Sequence, residues 1–177
     1  MKIEILKANK SHAKQISAFA EKTFRQTFCG KAYYTDAIID GYAKLSLNSK
    51  YFESCLTNEK QVIYMLMVDG TFAGYLHLED QEPPSDLSRY SALFVHRVYI
   101  DSSFKGHGFG KLLMEKAYSE AKSLGYDSVW LGVWEFNQQA QEFYIRQGFK
   151  HISEWEWAYE SQGVRYVDRD LLFVKML

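Results

Sequence analysis

An α/β fold, or α+β, with strands and helices mixed along one chain, is what the sequence predicts. Three observations carry it. Apolar residues alternate at period two in some stretches and recur at helical spacing in others, glycine-bearing turns punctuate the changes, and in the second half a strand is twice followed by a helix, after ALFVHRVYI and after DSVWLGVW. At 177 residues the chain lies in the usual single-domain range, and one domain over residues 1–177 is expected.

KIEILKA alternates like a first strand. Ser11 is placed to cap a helix whose Ile16, Phe19, Ala20, Phe24 and Phe28 recur at helical spacing. A second helical region runs from about Thr35 to Leu56, holding Ile38, Ile39, Tyr42, Leu45 and Phe52, with a break expected near SLNSK. QVIYMLMV and FAGYLHLE, joined by DGT, read as a hairpin. DQEPPSDLSRY carries both prolines and reads as a loop rather than a domain boundary, because strand material resumes at residues 92–100. Phe109, Leu112, Leu113, Ala117, Ala121 and Leu124 form the stripe of the next helix, ended by Gly125. DSVWLGVW is a strand, Asn137 to Gln147 a short helix stopped by Gly148, and FKHISEWEWAY with RYVDRDLLFVKML a closing hairpin around SQG.

Composition narrows the function. Lys plus Arg number 21 against 22 Asp plus Glu, so no overall field draws in nucleic acid or an anionic membrane. Cys29 and Cys55 form no CxxC pair and no disulfide-dense pattern, which suits a reducing compartment, and a cytoplasmic protein is expected. MKIEILKANK alternates charged with apolar residues, and no apolar run approaches the ~18 residues of a membrane span, so neither secretion nor insertion is expected. Aromatic residues are 16% of the chain, a supply for a core or an aromatic-walled pocket.

KGHGFGK, residues 105–111, puts three glycines and two lysines between a strand and a helix. A helix start leaves backbone N–H groups unpaired and carries the positive end of the dipole, so bare backbone there admits phosphate oxygens while Lys105 and Lys111 add charge. Two familiar phosphate loops fail on spacing. A Walker A loop would need glycine at Lys105 and Ser or Thr at Leu112, and the dinucleotide fingerprint would need glycine at Lys111 or Leu113. The histidines at 12, 77, 96, 107 and 151 show no HExxH or HxH spacing, and there is no GxSxG elbow, so no metal is expected.

KGHGFG does fit (R/Q)xxGx(G/A), with Lys105 where Arg or Gln is usual, and NQQAQEFYIRQGF fits NxxAxxFYxxxGF through Asn137, Ala140, Phe143, Tyr144, Gly148 and Phe149. On these two motifs the sequence resembles the GCN5-related N-acetyltransferases (GNAT), and most of all the bacterial Pai-type polyamine N-acetyltransferases through FRQTF, HRVYID and DRDLLFVKML. The resemblance implies a mixed, mostly antiparallel sheet of about seven strands flanked by about four helices, splayed between the fourth and fifth strands.

It also implies direct transfer of an acetyl group from acetyl-CoA to a primary amine of a small molecule, such as spermidine or spermine. The same fold acting on a protein N-terminus or lysine, and a non-catalytic acetyl-CoA sensor, are the alternatives. By the resemblance Lys105, Gly106, His107, Gly108, Phe109, Gly110 and Lys111 hold the pyrophosphate, and Val98, Tyr99 and Ile100 pair with the pantetheine arm. Asn137, Ala140 and Phe143 line the cofactor, and Tyr144 is the general acid for the leaving thiolate. An alkyl ammonium must lose a proton before it attacks, and Glu79, His96 and Glu135 are the candidate bases, with His77 behind them. A polycationic acceptor calls for acids and π faces, for which Asp80, Glu82, Asp86, Glu135, Glu154, Glu156, Tyr33, Tyr34 and Trp155 are candidates. Many relatives dimerise, often through their last strands, so a homodimer is an open expectation.

Overall fold

The computed structural model describes residues 1–161 and 164–177, and the chain divides into two compact units. One comprises Met1–Glu79 and Arg97–Glu115, the other Asp80–His96 and Lys116–Leu177.

In the first unit, β1 (Ile3–Lys7) runs antiparallel to β2 (Gln61–Val68), which turns back into β3 (Thr71–Glu79). The turn is the expected DG pair, with Asp69 at φ 47 and Gly70 at φ 78, the left-handed geometry that a tight hairpin needs. Ser11 is not the cap of the first helix. Asn9, two residues earlier, caps a short 3₁₀ turn at Lys10–His12, accepting from the Ser11 amide (3.0 Å) while His12 Nδ1 accepts from the Asn9 amide (3.1 Å). The reciprocal pair satisfies two donors at once, which Ser11 alone could not do.

Helix α1 (Ala13–Phe28) follows and buries Ile16, Phe19, Ala20, Thr23, Phe24 and Phe28. Each large apolar side chain on that face contributes about 1.5–3 kcal/mol relative to exposure, and Phe19 stacks on Phe72 of β3 at 4.0 Å. The second helical region is α2 (Asp36–Ser46) and α3 (Ser49–Thr57), broken where expected. Asn48 makes the break: its amide donates to the Lys44 carbonyl (2.7 Å) and its oxygen accepts from the Tyr51 amide (2.9 Å), closing one helix and opening the next.

In the second unit the first residues of β4 (Ala92–Ile100) pair in parallel with β5 (Ser128–Trp134), from Ala92 opposite Ser128 to Phe94 opposite Trp130. That ladder spans three pairs of a nine-residue strand, the splay expected after the fourth strand. β7 (Val164–Met176) lies antiparallel between β5 and β6 (Lys150–Ser161). The turn expected at SQG lies outside the described residues. Trp130, 0% exposed, stacks on Phe94 at 4.1 Å and packs with Leu87, Ala92, Leu172 and Val174. Leu87 comes from a 3₁₀ turn at Ser85–Leu87, so the proline loop donates a core residue. The unit also holds the later turns of α4 (Phe109–Ser123) and α5 (Gln138–Arg146).

Hydrogen-bonded order is β1-β2-β3-β4-β5-β7-β6, with the two halves of β4 assigned to different units. Among the described residues this is a seven-stranded, mostly antiparallel sheet with the helices of an α/β fold.

Candidate active site

The glycine loop belongs to the first unit, and its base is anchored by α1. Asp101, directly after β4, donates its amide to the Ala73 carbonyl (3.0 Å). Its carboxylate, 3% exposed, accepts from the Ser103 amide (3.0 Å) and hydroxyl (2.8 Å) and is ion-paired with Lys22. Burial pushes this carboxyl up, but hydrogen bonds from Lys22 and Ser103 outweigh burial and bring its pKa down to about 2. One turn along α1, Gln26 Oε1 accepts from the Ser102 amide (3.1 Å). Lys22 and Gln26, four apart on one helix face, thus grip a 3₁₀ turn at Ser102–Phe104.

Beyond it Gly106 and Gly108 adopt φ +82 and +79. A Cβ at either would meet nothing within 4 Å, so glycine is required by conformation and not by space. Phe109, 3% exposed, anchors the start of α4. Because Leu112 bonds back to the Gly108 carbonyl (3.1 Å), the amides of Phe109, Gly110 and Lys111 precede the first intrahelical bond and point out of the helix mouth. Lys105 and Lys111 are exposed, as is His107, whose ring stacks with Phe109 at 5.7 Å. Free amides, left-handed glycines and two cations fit a pyrophosphate. Val98, Tyr99 and Ile100 are half-buried, with Tyr99 stacked on Tyr75 at 5.7 Å.

The second motif lies in the other unit. Asn137 is the N-cap of α5, accepting from the Ala140 amide (3.3 Å), which gives this asparagine a defined task. Gln141 donates to the Glu135 carbonyl (2.7 Å) and so ties the helix to the end of β5. Ala140 and Phe143 are half-buried, and Tyr144 is 9% exposed, between Phe143 (5.1 Å) and Phe149 (5.4 Å), both edge-on. Burial, and then the neighbouring Tyr118, push the Tyr144 phenol up, so it keeps its proton at neutral pH. Lys175 donates to the Gln147 carbonyl (2.7 Å) at the C-terminal end of α5.

The candidate bases separate. Glu79 accepts from Gln61 (3.0 Å), and the buried His77 ring nitrogen lies 3.0 Å from the same amide's oxygen, so these two in-phase residues share one partner in the first unit. In the second, half-buried His96 stacks on Phe94 at 5.3 Å, and half-buried Glu135 stands near enough to Arg169 to raise that guanidinium. Glu156 (2.8 Å) and Glu154 (3.3 Å) pair directly with Arg169, so three of the expected acids surround one cation. Asp80 accepts from Tyr126 (2.6 Å), while Glu82 and Asp86 are exposed. Tyr33 stacks on Tyr34 at 5.4 Å in the first unit, Tyr34 is 5% exposed and within the core, and Trp155 is 47% exposed.

Sequence reasoning missed Lys22, Gln26 and Asp101, whose only signal is the i,i+4 spacing of the first two. It also missed Asp168 and Asp170, two in-phase acids of β7 hidden by the intervening Arg169. Asp168, 0% exposed, accepts from Trp134 Nε1 (2.9 Å). Among the described residues no group of three or more His, Cys, Asp or Glu could hold a metal ion, and no helix is long and apolar enough to cross a membrane.

Strand, glycine loop and helix, then strand and capped helix, together define an acyl-CoA-type acetyltransferase scaffold. The chain belongs to the acetyltransferase (GNAT) family, which it matches over residues 19–149. It is 28% identical to an uncharacterized N-acetyltransferase from the pepI 3' region of Lactobacillus delbrueckii subsp. lactis, covering 86% of this chain and 87% of the relative. An uncharacterized N-acetyltransferase of Mycobacterium bovis is 31% identical over 78% of this chain and 83% of its own length. In fold the chain is similar to the PaiA N-acetyltransferase of Thermoplasma acidophilum, solved with coenzyme A, at TM-score 0.79 and 19% identity over the whole of both chains.

Proposed function

We propose that this protein transfers an acetyl group directly from acetyl-CoA to a primary amine of a small molecule. The observation that carries the reading is the helix mouth at Gly106–Lys111, left-handed at two glycines and tied to α1 through Asp101. Acetyl-CoA, when bound, supplies an acetyl group activated as a thioester. The amides of Phe109, Gly110 and Lys111, with Lys105, would hold its pyrophosphate, and the backbone of Val98, Tyr99 and Ile100 would align the pantetheine arm. Tyr144 holds a proton at Oη for the departing sulfur. Glu79, His96 and Glu135 remain the groups proposed to accept the ammonium proton, directly or through water.

The resemblance to the Pai-type enzymes supports spermidine or spermine as the first acceptors to try. Against a polycation, Glu154 and Glu156 already neutralise Arg169. Coenzyme A release in the presence of a panel of amines, with spermidine, lysine and a short peptide included, tests the reading. Amine-dependent release is expected. Binding of acetyl-CoA without release on any amine would leave a sensor in place of an enzyme.

A further inference from the structure

Arg97 is the one charged group of β4 turned into the first unit's interior, and it is 8% exposed. Its guanidinium lies over the rings of Tyr51 (5.0 Å) and Phe52 (5.9 Å) on α3, and its Nη2 donates to the hydroxyl of Tyr42 on α2 (3.2 Å). Aromatic stacking suits a guanidinium, but it leaves the in-plane N–H groups open. Nη1 is buried and makes no hydrogen bond, and Arg97 forms no ion pair among the described residues. A second polar atom shares this condition. Tyr75 Oη on β3 is also buried without a hydrogen-bond partner, its residue 0% exposed, and its ring packs edge-on at 6.4 Å against Phe52, the ring that Arg97 overlies.

Burying a permanent cation without a counter-charge costs several kcal/mol by order of magnitude. Water would fill the hydrogen bonds but leave the charge uncompensated. What both atoms have in common is a hydrogen to give: an arginine N–H and a phenolic O–H. Their complement is a compact, acceptor-only anion, and a carboxylate matches the planar fork of an arginine. Position says where such an anion would come from. Val98, Tyr99 and Ile100 are the proposed pantetheine-pairing residues and the phosphate loop follows them, so walking back along β4 from the loop leads from phosphates towards thioester. Arg97 stands at the thioester end, where an acceptor must present its amine.

We propose that Arg97 Nη1 and Tyr75 Oη form a binding site for a carboxylate carried by the acceptor amine. This deepens the acetyltransferase reading and rests on it. The substrate class becomes an amino acid or a related amine bearing a carboxylate, and polyamines, which have none, fall behind.

The test is equilibrium titration of the full chain, with coenzyme A present, using N-acetylated amino acids and the N-acetylated amines that differ from them only in lacking the carboxylate. Lysine against cadaverine and ornithine against putrescine provide two such pairs. The acids are expected to bind about tenfold or more tightly than their partners. The difference should vanish in Arg97→Gln, shrink in Arg97→Lys and fall severalfold in Tyr75→Phe. Equal binding of every pair by the wild-type protein overturns the site, as does a preference that survives Arg97→Gln. Should that variant not fold, the wild-type comparison and Arg97→Lys decide. Titration needs no turnover, so the two readings fail separately: absence of acetyl transfer to any amine removes the enzyme, whereas an enzyme blind to the carboxylate removes only this site.

Discussion

Lys22, on α1, is ion-paired with the buried carboxylate of Asp101 at the end of β4. The pair joins the first helix of the chain to the base of the glycine loop, so a residue outside the loop fixes where it begins. Lys22→Met leaves Asp101 buried with Ser103 alone. A stability loss of about 1–3 kcal/mol is expected, with a rise in KM for acetyl-CoA of roughly three- to tenfold and little change in kcat. Melting curves and acetyl-CoA kinetics check it, and an unchanged KM in a destabilised variant would show that the loop keeps its place without the pair.

Acid stability should register the same carboxylate. Its folded pKa of about 2 lies below the ~3.9 of an unfolded aspartate. A depressed pKa contributes stability that is complete above about pH 4 and is lost as pH falls from ~4 towards ~2. Asp101→Asn removes that titration, so urea unfolding across this window should show a shallower acid limb than the wild type. Parallel curves for the two proteins would argue that other carboxylates govern acid unfolding.

Tyr144→Phe removes one hydroxyl from a ring held edge-on between Phe143 and Phe149, leaving the packing in place. A thiolate is a tolerable leaving group, so turnover should fall roughly ten- to a thousandfold, while acetyl-CoA affinity stays within about twofold. Wild-type turnover in this variant would take the phenol out of the chemistry.

The order of elements was legible because each carries its own signal: alternation in KIEILKA, the Asp69–Gly70 turn, helical stripes ended by Gly125 and Gly148, both at positive φ. The break in SLNSK was legible for a local reason, since Asn48 serves both helices. The Ser11 cap was misplaced because cap choice depends on a reciprocal bond from the Asn9 amide to His12 Nδ1, which spacing does not reveal. The glycine loop and Tyr144 stood out by motif. Lys22, Asp101, Arg97 and Tyr75 did not, because what distinguishes them is burial and partnership across distant segments, and single-sequence patterns are silent on both.

Gly74 should be as important to the placement of β4 as any motif residue. A Cβ there would come within 2.8 Å of the Tyr99 carbonyl oxygen and 2.5 Å of Ile100 Cδ1. The backbone oxygen cannot swing aside as a side chain can, so Gly74→Ala must push β4 off β3 at the residues proposed to pair with pantetheine. A loss of about 1–3 kcal/mol is expected, together with weaker acetyl-CoA binding. The comparison is with Gly70→Ala in the β2–β3 turn, where nothing lies within 4 Å. That change should cost stability through φ strain alone and leave acetyl-CoA affinity intact. If both variants bind acetyl-CoA like the wild type, close approach at Gly74 has no bearing on the cofactor.

Asp170 offers the opposite pH signature. Burial first, and then the neighbouring Asp168, raise its pKa to about 6, although a hydrogen bond from Trp157 works the other way. Gly132 leaves room for the carboxyl, since a Cβ there would lie 3.2 Å from Asp170 Oδ2. The folded chain therefore holds this proton more tightly than the unfolded one, whose aspartate titrates near ~3.9. Its contribution to stability is complete below about pH 4 and disappears as pH rises through about 6. Asn has nearly the same shape, can still accept from Trp157 and never ionises. Asp170→Asn should thus be more stable than the wild type by about 1–3 kcal/mol above about pH 7, with the gain shrinking to nothing below about pH 4. Denaturant unfolding at both ends of that range decides the matter: a gain that is flat with pH would assign it to packing, and a loss at high pH would mean that the ionised carboxylate is held by a partner that asparagine cannot replace.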